Sequence, residues 1–514
     1  MESKTINEKR KALLIQWLVF LSRLIVGGTF VFSGFVKAID PYGTAYKFED
    51  YFAAFHLEFL SSFTLLFSVA LSVVEFLLGV HLLFGSYRKS TPRLVFLFLC
   101  VMTPLTLYLA IANPISDCGC FGDAVHLSNW ATFFKNVVLL GGAIFLLYTN
   151  KRLRALYNKE VQWLTGLYSL VFVLFFAYVG INYQPYLDFR PYKIGVNIPE
   201  ALAASEPQRE FVFIYEKEGR QQEFTLDNLP GEEEGWTFVD RREKVIESDR
   251  PQAPAIDEFT IYRGADDITD EILGDDNYRI LLLSPDLERA DDSEVDRINE
   301  LYDYCVERGY AFACVTASNP RGIITWLENT GAEYPFYFMD KTTIRTIARG
   351  NPCVLLLKGG TILRKTAPSQ LPDETLLTQP LDQLDYGRPE VYRPRHRLGF
   401  IAMLYVIPML FLLLTEKTVA MIIGRVKLWR LNRIRRRRKA EYEALQAAAA
   451  AKAAGASPQP EKAEPTPTDV AAANEEPAGN SGMPVADEEA APAAESPAPA
   501  PEPKNENEKQ NEIR

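Results

Sequence analysis

Apolar positions in this chain gather into long runs at its start and into short alternating segments in its middle. Uninterrupted apolar stretches occupy residues 14–37, 60–84, 94–112, 130–148 and 163–183, and a sixth, broken by Pro408, occupies 398–423. A bilayer's hydrocarbon core is about 30 Å thick and a helix rises about 1.5 Å per residue, so roughly twenty apolar residues are needed to cross it. Six transmembrane helices are therefore expected.

Between the fifth and sixth runs the pattern changes. Residues 279–284, 311–316, 335–339 and 353–358 are short apolar strands, and 361–365 follows the last across the Gly359-Gly360 turn. Residues 292–308 carry apolar positions at helical spacing, and 320–331 opens with proline and ends with glycine, as helices do. Upstream, 210–216 and 223–226 read as a short hairpin. This is an α/β domain of about residues 184–397, strung between two spans. Beyond 423 a basic segment reaches about 446. Residues 447–514 are then mostly Ala, Pro, Glu and Asn, too poor in apolar side chains to offset the entropy of ordering, so that tail is expected to be disordered.

Composition changes this picture little, because 48% hydrophobic residues, 24% charged residues and a net charge of −11 average over unlike segments. The position of the cations changes it more. Lys4, Lys9, Arg10 and Lys11 precede the first run, Arg88, Lys89 and Arg93 lie between the second and third, and Lys151, Arg152, Arg154 and Lys159 lie between the fourth and fifth. The intervening loops carry only Lys47 in the first case and no Lys or Arg over 114–128 in the second. Cytoplasmic loops hold the excess of Lys and Arg. Both termini are thus expected in the cytoplasm and residues 184–397 outside. The first run lacks a small-residue cleavage signal and reads as a retained helix. The Arg435–Lys439 cluster would lie against anionic lipid headgroups.

Two ionisable residues lie inside spans, where charges are costly and usually paired. Arg23 falls about nine residues into the first run and Glu75 about nine residues before the end of the second, so they come to similar depths and are expected to form an ion pair. Such a pair fixes helix packing or marks a proton or quinone site. Gly27, Gly28, Gly34 and Gly79 would let the two helices approach closely. The stretch Arg23-Leu-Ile-Val-Gly-Gly-Thr-Phe-Val-Phe-Ser-Gly-Phe-Val-Lys37-Ala-Ile-Asp40-Pro41, with Glu75-Phe-Leu-Leu-Gly79, resembles the DoxX-like membrane proteins and their relatives, the MauE (methylamine utilisation) proteins. The resemblance covers about residues 14–150. It implies a four-helix bundle in a bacterial inner membrane, with the fifth helix as a connector.

The sharpest chemical feature is Ser116-Asp117-Cys118-Gly119-Cys120-Phe121-Gly122-Asp123, in the loop expected outside between the third and fourth spans. Two thiols flanking one residue can bond only through an uncommon backbone conformation, which glycine adopts most easily. A strained, exposed disulfide is readily reduced, as catalytic or regulatory ones are. Three chemistries fit: a thiol redox pair, an inert structural disulfide, or a metal site completed by Asp117, Asp123 and His126. Lys135 could lower a thiol pKa or simply anchor its helix at the surface. Similar Cys-Gly-Cys-Phe-Gly loops occur in MauE-like proteins, whose implied role is disulfide formation in exported partners; that role transfers only to Cys118 and Cys120.

The order of elements from about 258 to 372 resembles the thioredoxin fold, in which the proline before the penultimate strand often follows a cis peptide; Asn351-Pro352 holds that place. A thioredoxin would carry Cys-x-x-Cys after the strand ending at Ser284, where this chain has Pro285-Asp-Leu-Glu-Arg-Ala-Asp291. Cys305, Cys314 and Cys353 read as small buried apolar residues. The domain is thus expected to be a degenerate thioredoxin-like module for docking. Two functions remain open. One is a membrane thiol-disulfide oxidoreductase using Cys118 and Cys120, with an exported thiol protein as partner and a quinone, held near Arg23 and Glu75, as candidate acceptor. The other is a non-enzymatic scaffold whose outer domain binds a partner. The partners implied are lipids and protein, not nucleic acid.

Overall fold

The computed structural model describes residues 2–115, 118–205, 209–217, 220–225, 228, 236–245, 259–453 and 455. Asp117 lies outside these residues, as do Leu226 of the expected hairpin and residues 456–514 of the expected tail.

Helix α1 (Glu2–Ile39) is followed at once by α2 (Pro41–Ala54), then by α3 (Thr64–Phe84), α4 (Ser90–Ala112), α5 (Asn129–Tyr148) and α6 (Gln162–Asn182). Among the described residues six helices, counting the C-terminal one described below, are long and apolar enough to cross a membrane, matching the six expected runs. Helix α2 was not expected. Its start is set by Asp40, whose side chain accepts from the Gly43 amide, and by Pro41 in the first turn, where its missing N–H is not needed.

Helices α1 and α3 pack closely because glycines remove the side chains between them. A Cβ on Gly34 would overlap the Phe76 backbone, and one on Gly79 would overlap Val31. Gly28 faces open space and takes no part in this contact. Val26, Phe30, Leu82, Leu99, Leu139 and Leu146 fill the core among α1, α3, α4 and α5. Phe76, Phe172, Val173 and Phe176 fill a second core with α6.

Past α7 (Ile198–Ser205) a three-stranded antiparallel sheet has the order β2-β1-β3, from β1 (Arg209–Lys217), β2 (Arg220–Thr225) and β3 (Thr237–Val245). The expected hairpin is present, and β3 adds an edge that the charged sequence Asp240-Arg-Arg-Glu-Lys244 concealed.

Next come β4 (Tyr262–Arg263), β5 (Asp266–Asp267), α8 (Thr269–Leu273), β6 (Tyr278–Ser284), α9 (Val295–Arg308), β7 (Ala311–Thr316), α10 (Pro320–Thr330), β8 (Phe336–Phe338), α11 (Lys341–Ile347), β9 (Cys353–Lys358) and β10 (Thr361–Thr366). They build a seven-stranded sheet of order β10-β9-β6-β7-β8-β4-β5. Strands β6, β7 and β8 are parallel, and β9 and β10 run antiparallel at one side. Ile298, Leu301 and Trp326 cover one face, while Ile198, Ile272, Ile344 and Ile347 cover the other. That double cover explains the unbroken apolar runs 280–283 of β6 and 353–357 of β9. The Asn351–Pro352 peptide is cis.

Helix α12 (Pro394–Ala453) includes the sixth apolar run. It continues through residues 447–453, expected to begin the disordered tail, because a run of alanines favours helix. The chain divides into two compact units after Lys427, within this helix.

Candidate functional site

Helices α1 and α3 are antiparallel, and their glycine contacts set the register, so the C-terminal half of α1 faces the middle of α3. Ser33 and Lys37, one turn apart on one face of α1, both reach Glu75 of α3. Lys37 Nζ donates to Glu75 Oε2 at 2.7 Å and to Ser33 Oγ at 2.7 Å, and Ser33 Oγ donates to Glu75 Oε2 at 2.7 Å. All three are buried, Lys37 at 3% exposed and Glu75 at 4%.

The expected Arg23–Glu75 pair is therefore corrected. The Arg23 guanidinium instead donates to the carbonyl oxygens of Leu83 and Arg154. Helix α1 begins well before the apolar run, and register rather than distance from the run's boundary decides the partner. Arg23 thereby satisfies a carbonyl in the last turn of α3, where none of the helix's own amides is available.

The loop between α4 and α5 folds back onto this network. The Asn129 amide ties its base by donating to Asn113 Oδ1 and to the Ile115 carbonyl. The Cys120 carbonyl accepts from Lys37 Nζ at 2.7 Å and lies 2.6 Å from Ser33 Oγ, whose single proton is shared between this carbonyl and Glu75. The Cys118 carbonyl accepts from the Tyr51 hydroxyl at 3.0 Å. Between them Gly119 adopts φ +62°, the left-handed region that other residues enter at a cost.

The two cysteines are free thiols with their sulfurs 2.9 Å apart. The hydrogen bond from the Cys118 thiol, aided by the charges of Lys135 and Lys37 and opposed by burial, holds the Cys120 thiol down at about 6. The same hydrogen bond, then burial, pushes Cys118 far above the ordinary thiol range. Lys135 does approach the loop, its Nζ lying 4.2 Å from the centre of the Phe121 ring.

A second set of contacts joins this end of the bundle to the α/β domain. Arg349, two residues before the cis Asn351–Pro352 bond, places Nε 2.8 and 2.9 Å from the two Asp40 oxygens and a terminal nitrogen 2.6 Å from Asp123 Oδ2. Arg345 pairs with Glu49 of α2 at 2.7 Å and stacks 4.1 Å over the Tyr46 ring. One guanidinium thus bridges the start of α2 and the dithiol loop.

Asp123, a candidate metal ligand, is engaged in this bridge, and among the described residues no group of three or more His, Cys, Asp or Glu is placed to hold a metal ion. In the α/β domain Cys305, Cys314 and Cys353 are fully buried, and burial pushes each thiol up. Cys118, Cys120, Glu75 and Lys135 stand out in the sequence, whereas the site roles of Ser33, Lys37, Asp40, Tyr51 and Arg349 emerge only in the fold. Lys37 carried a signal, since an ionisable residue near a span's end is either an interface anchor or an inward partner.

Comparison with known proteins matches residues 15–149 to the family described as methylamine utilisation protein MauE. Residues 210–248 match a domain of unknown function, DUF8463. No curated protein and no solved structure matches the chain. The membrane portion is therefore MauE-like over about a quarter of the chain, and the protein is a multi-pass membrane protein.

Proposed function

We propose that this protein is a thiol-disulfide oxidoreductase of a bacterial inner membrane, with Cys118 and Cys120 as its catalytic residues. The carrying observation is the pair of free thiols 2.9 Å apart across a glycine turn, one stabilised as thiolate and one as thiol. A disulfide between them needs the sulfurs to close to about 2.05 Å, a shift of roughly 0.9 Å.

In the oxidising direction a thiolate of an exported protein attacks the Cys118–Cys120 disulfide at Cys118, and Cys120 leaves as thiolate because its charge is the better stabilised. The partner's second thiolate then attacks the mixed disulfide. The partner gains a disulfide, the loop returns to a dithiol, and two electrons have moved. The basic loops support a topology with both termini in the cytoplasm and the dithiol loop and residues 184–397 in the periplasm, where a disulfide persists. On this reading the bundle shares DoxX-like ancestry, and the α/β domain is a thioredoxin-like module that has lost its own cysteine pair. Its sheet order and the helices on both faces support that assignment.

Thiol trapping in isolated membranes tests the proposal: adding a reduced exported thiol protein should convert Cys118 and Cys120 from unreactive to alkylatable. A dithiol loop whose state never responds would favour a scaffold in which the α/β domain only docks a partner.

A further inference from the structure

A dithiol that oxidises partners must pass two electrons on, and the cavity beside it states what could receive them. Between α2 and the halves of α3 and α4 nearest the dithiol loop lies a cavity of about 290 Å³. Its walls are Phe48, Phe52, Leu71, Met102 and Leu105, and Cys118, Cys120 and Lys37 close one side. Phe55 and Leu57, each 37% exposed, form an apolar rim. Exposed apolar side chains beside membrane spans face acyl chains, so the entrance admits lipid-soluble molecules.

The lining also carries the polar side chains of Lys47, Tyr51 and Thr44. The Thr44 hydroxyl is buried, its residue 6% exposed, and it has no hydrogen-bond partner. A buried hydroxyl left unbonded costs about 1–3 kcal/mol, so it is expected to serve a carbonyl that arrives with a ligand. Lys37 cannot take that part, because its ammonium already donates to Ser33, Glu75 and the Cys120 carbonyl. It supplies positive charge instead.

We propose that this cavity binds a lipid-soluble quinone, with a ring carbonyl on Thr44, and that the quinone oxidises the Cys118–Cys120 dithiol. The proposal rests on the redox reading above and supplies its electron acceptor. The Cys120 thiolate adds to the ring, Cys118 attacks the Cys120 sulfur, and the carbon–sulfur bond breaks as the disulfide forms. Two electrons pass to the ring, and its oxygens take up two protons, one from the Cys118 thiol and one from solvent, giving hydroquinone. The position differs from the Arg23–Glu75 locus expected from sequence. Arg23 lies 14 residues before Lys37 on α1, about 21 Å along the helix from the contact with the dithiol loop, and the space beside Glu75 is about 30 Å³, room for a water but not for a ring.

The test uses the full-length protein, reduced, in lipid nanodiscs, with oxidation of Cys118 and Cys120 followed by alkylation and mass spectrometry. A short-chain ubiquinone should oxidise both thiols and yield one hydroquinone per dithiol. Thr44→Val, which keeps the shape and deletes the hydroxyl, should raise the quinone concentration at half-maximal rate about three- to tenfold, equivalent to one hydrogen bond, and leave the maximal rate within twofold. Leu71→Trp, which fills the cavity, should raise it more than tenfold while both thiols remain titratable. Thiols that are oxidised by glutathione disulfide but not by quinone would overturn the quinone site and leave the redox reading standing. Thiols that respond to neither would overturn both. Retention of a lipid acyl chain that excess quinone fails to displace would mark the cavity as a lipid site and also overturn the proposal.

Discussion

Replacing Arg349 with methionine removes a cation that two carboxylates share, and the consequence can be worked out in advance. Arg349 is 4% exposed, and its partners Asp40 and Asp123 have side chains 14% and 28% exposed. Breaking a buried ion pair costs about 3–5 kcal/mol, most of it from the charge left without a partner. Asp40, bonded through both oxygens, falls near the low end of that range; Asp123 is wetter and adds about 1 kcal/mol or less. The expected loss is therefore roughly 3–4 kcal/mol in the attachment of the α/β domain to the dithiol end of the bundle. At about 1.4 kcal/mol per factor of ten, that favours detachment by more than a hundredfold.

Hydrogen exchange in nanodiscs reads this directly. Amides of residues 345–352 and of 118–124 should lose protection together, while β6 and β9 keep theirs. Arg349→Lys should recover only part, since one ammonium cannot fork between two carboxylates as a guanidinium does. Burial alone would raise the pKa of Asp40, but the charge and hydrogen bonds of Arg349 outweigh it and hold it below the ordinary carboxylate range. A depressed carboxylate stabilises above its unfolded pKa of about 3.9, and the contribution is lost as pH falls through the lower folded value. The clamp should thus be constant from about pH 5 to 8 and fail only in stronger acid. Loss of protection at 345–352 with none at 118–124 would refute the claim that Arg349 holds the dithiol loop.

Other consequences concern the loop and the buried pair. Gly119→Ala forces a side chain into a left-handed turn and places its Cβ 3.0 Å from Lys47 Cγ, so it should destabilise the loop by about 1–2 kcal/mol and slow disulfide formation in stopped-flow alkylation about tenfold. Cys120 should alkylate with a midpoint near pH 6 and ahead of Cys118; Lys135→Met removes a charge that favours the thiolate and should move the Cys120 midpoint upward. A Lys135→Met midpoint that falls would contradict the electrostatic assignment. Lys37→Met strands Glu75 and should cost about 3–5 kcal/mol, seen as reduced accumulation in membranes, and Lys37→Met with Glu75→Gln should recover most of it.

Much of this architecture was legible from apolar patterning. A span must be about twenty apolar residues long, and a doubly covered strand such as β6 must carry an unbroken apolar run, here residues 280–283, so both leave signals that need no partner to interpret. Helix α2 left a weaker one, because a fourteen-residue aromatic-rich segment after Asp40-Pro41 looks like a loop until its cap is seen. The Lys37–Glu75 pair was misassigned to Arg23 because apolar boundaries do not set helix register; the contacts of Gly34 and Gly79 do. Arg349 was illegible for a different reason. It meets Asp40 and Asp123 from 309 and 226 residues away, and nothing local separates it from the other arginines of its domain. Cys118 and Cys120 stood out because the spacing itself carries the chemistry, and the thiolate preference of Cys120 came only from the folded surroundings.

Redox activity requires above all that the two sulfurs cycle between dithiol and disulfide. Equilibrating the full-length protein in nanodiscs across a series of dithiothreitol redox buffers, then alkylating and weighing the peptide that holds Cys118 and Cys120, should show a reversible two-electron transition in which that peptide alone gains and loses a disulfide. A peptide that stays fully alkylatable in the most oxidising buffer, or never becomes so in the most reducing one, would contradict it.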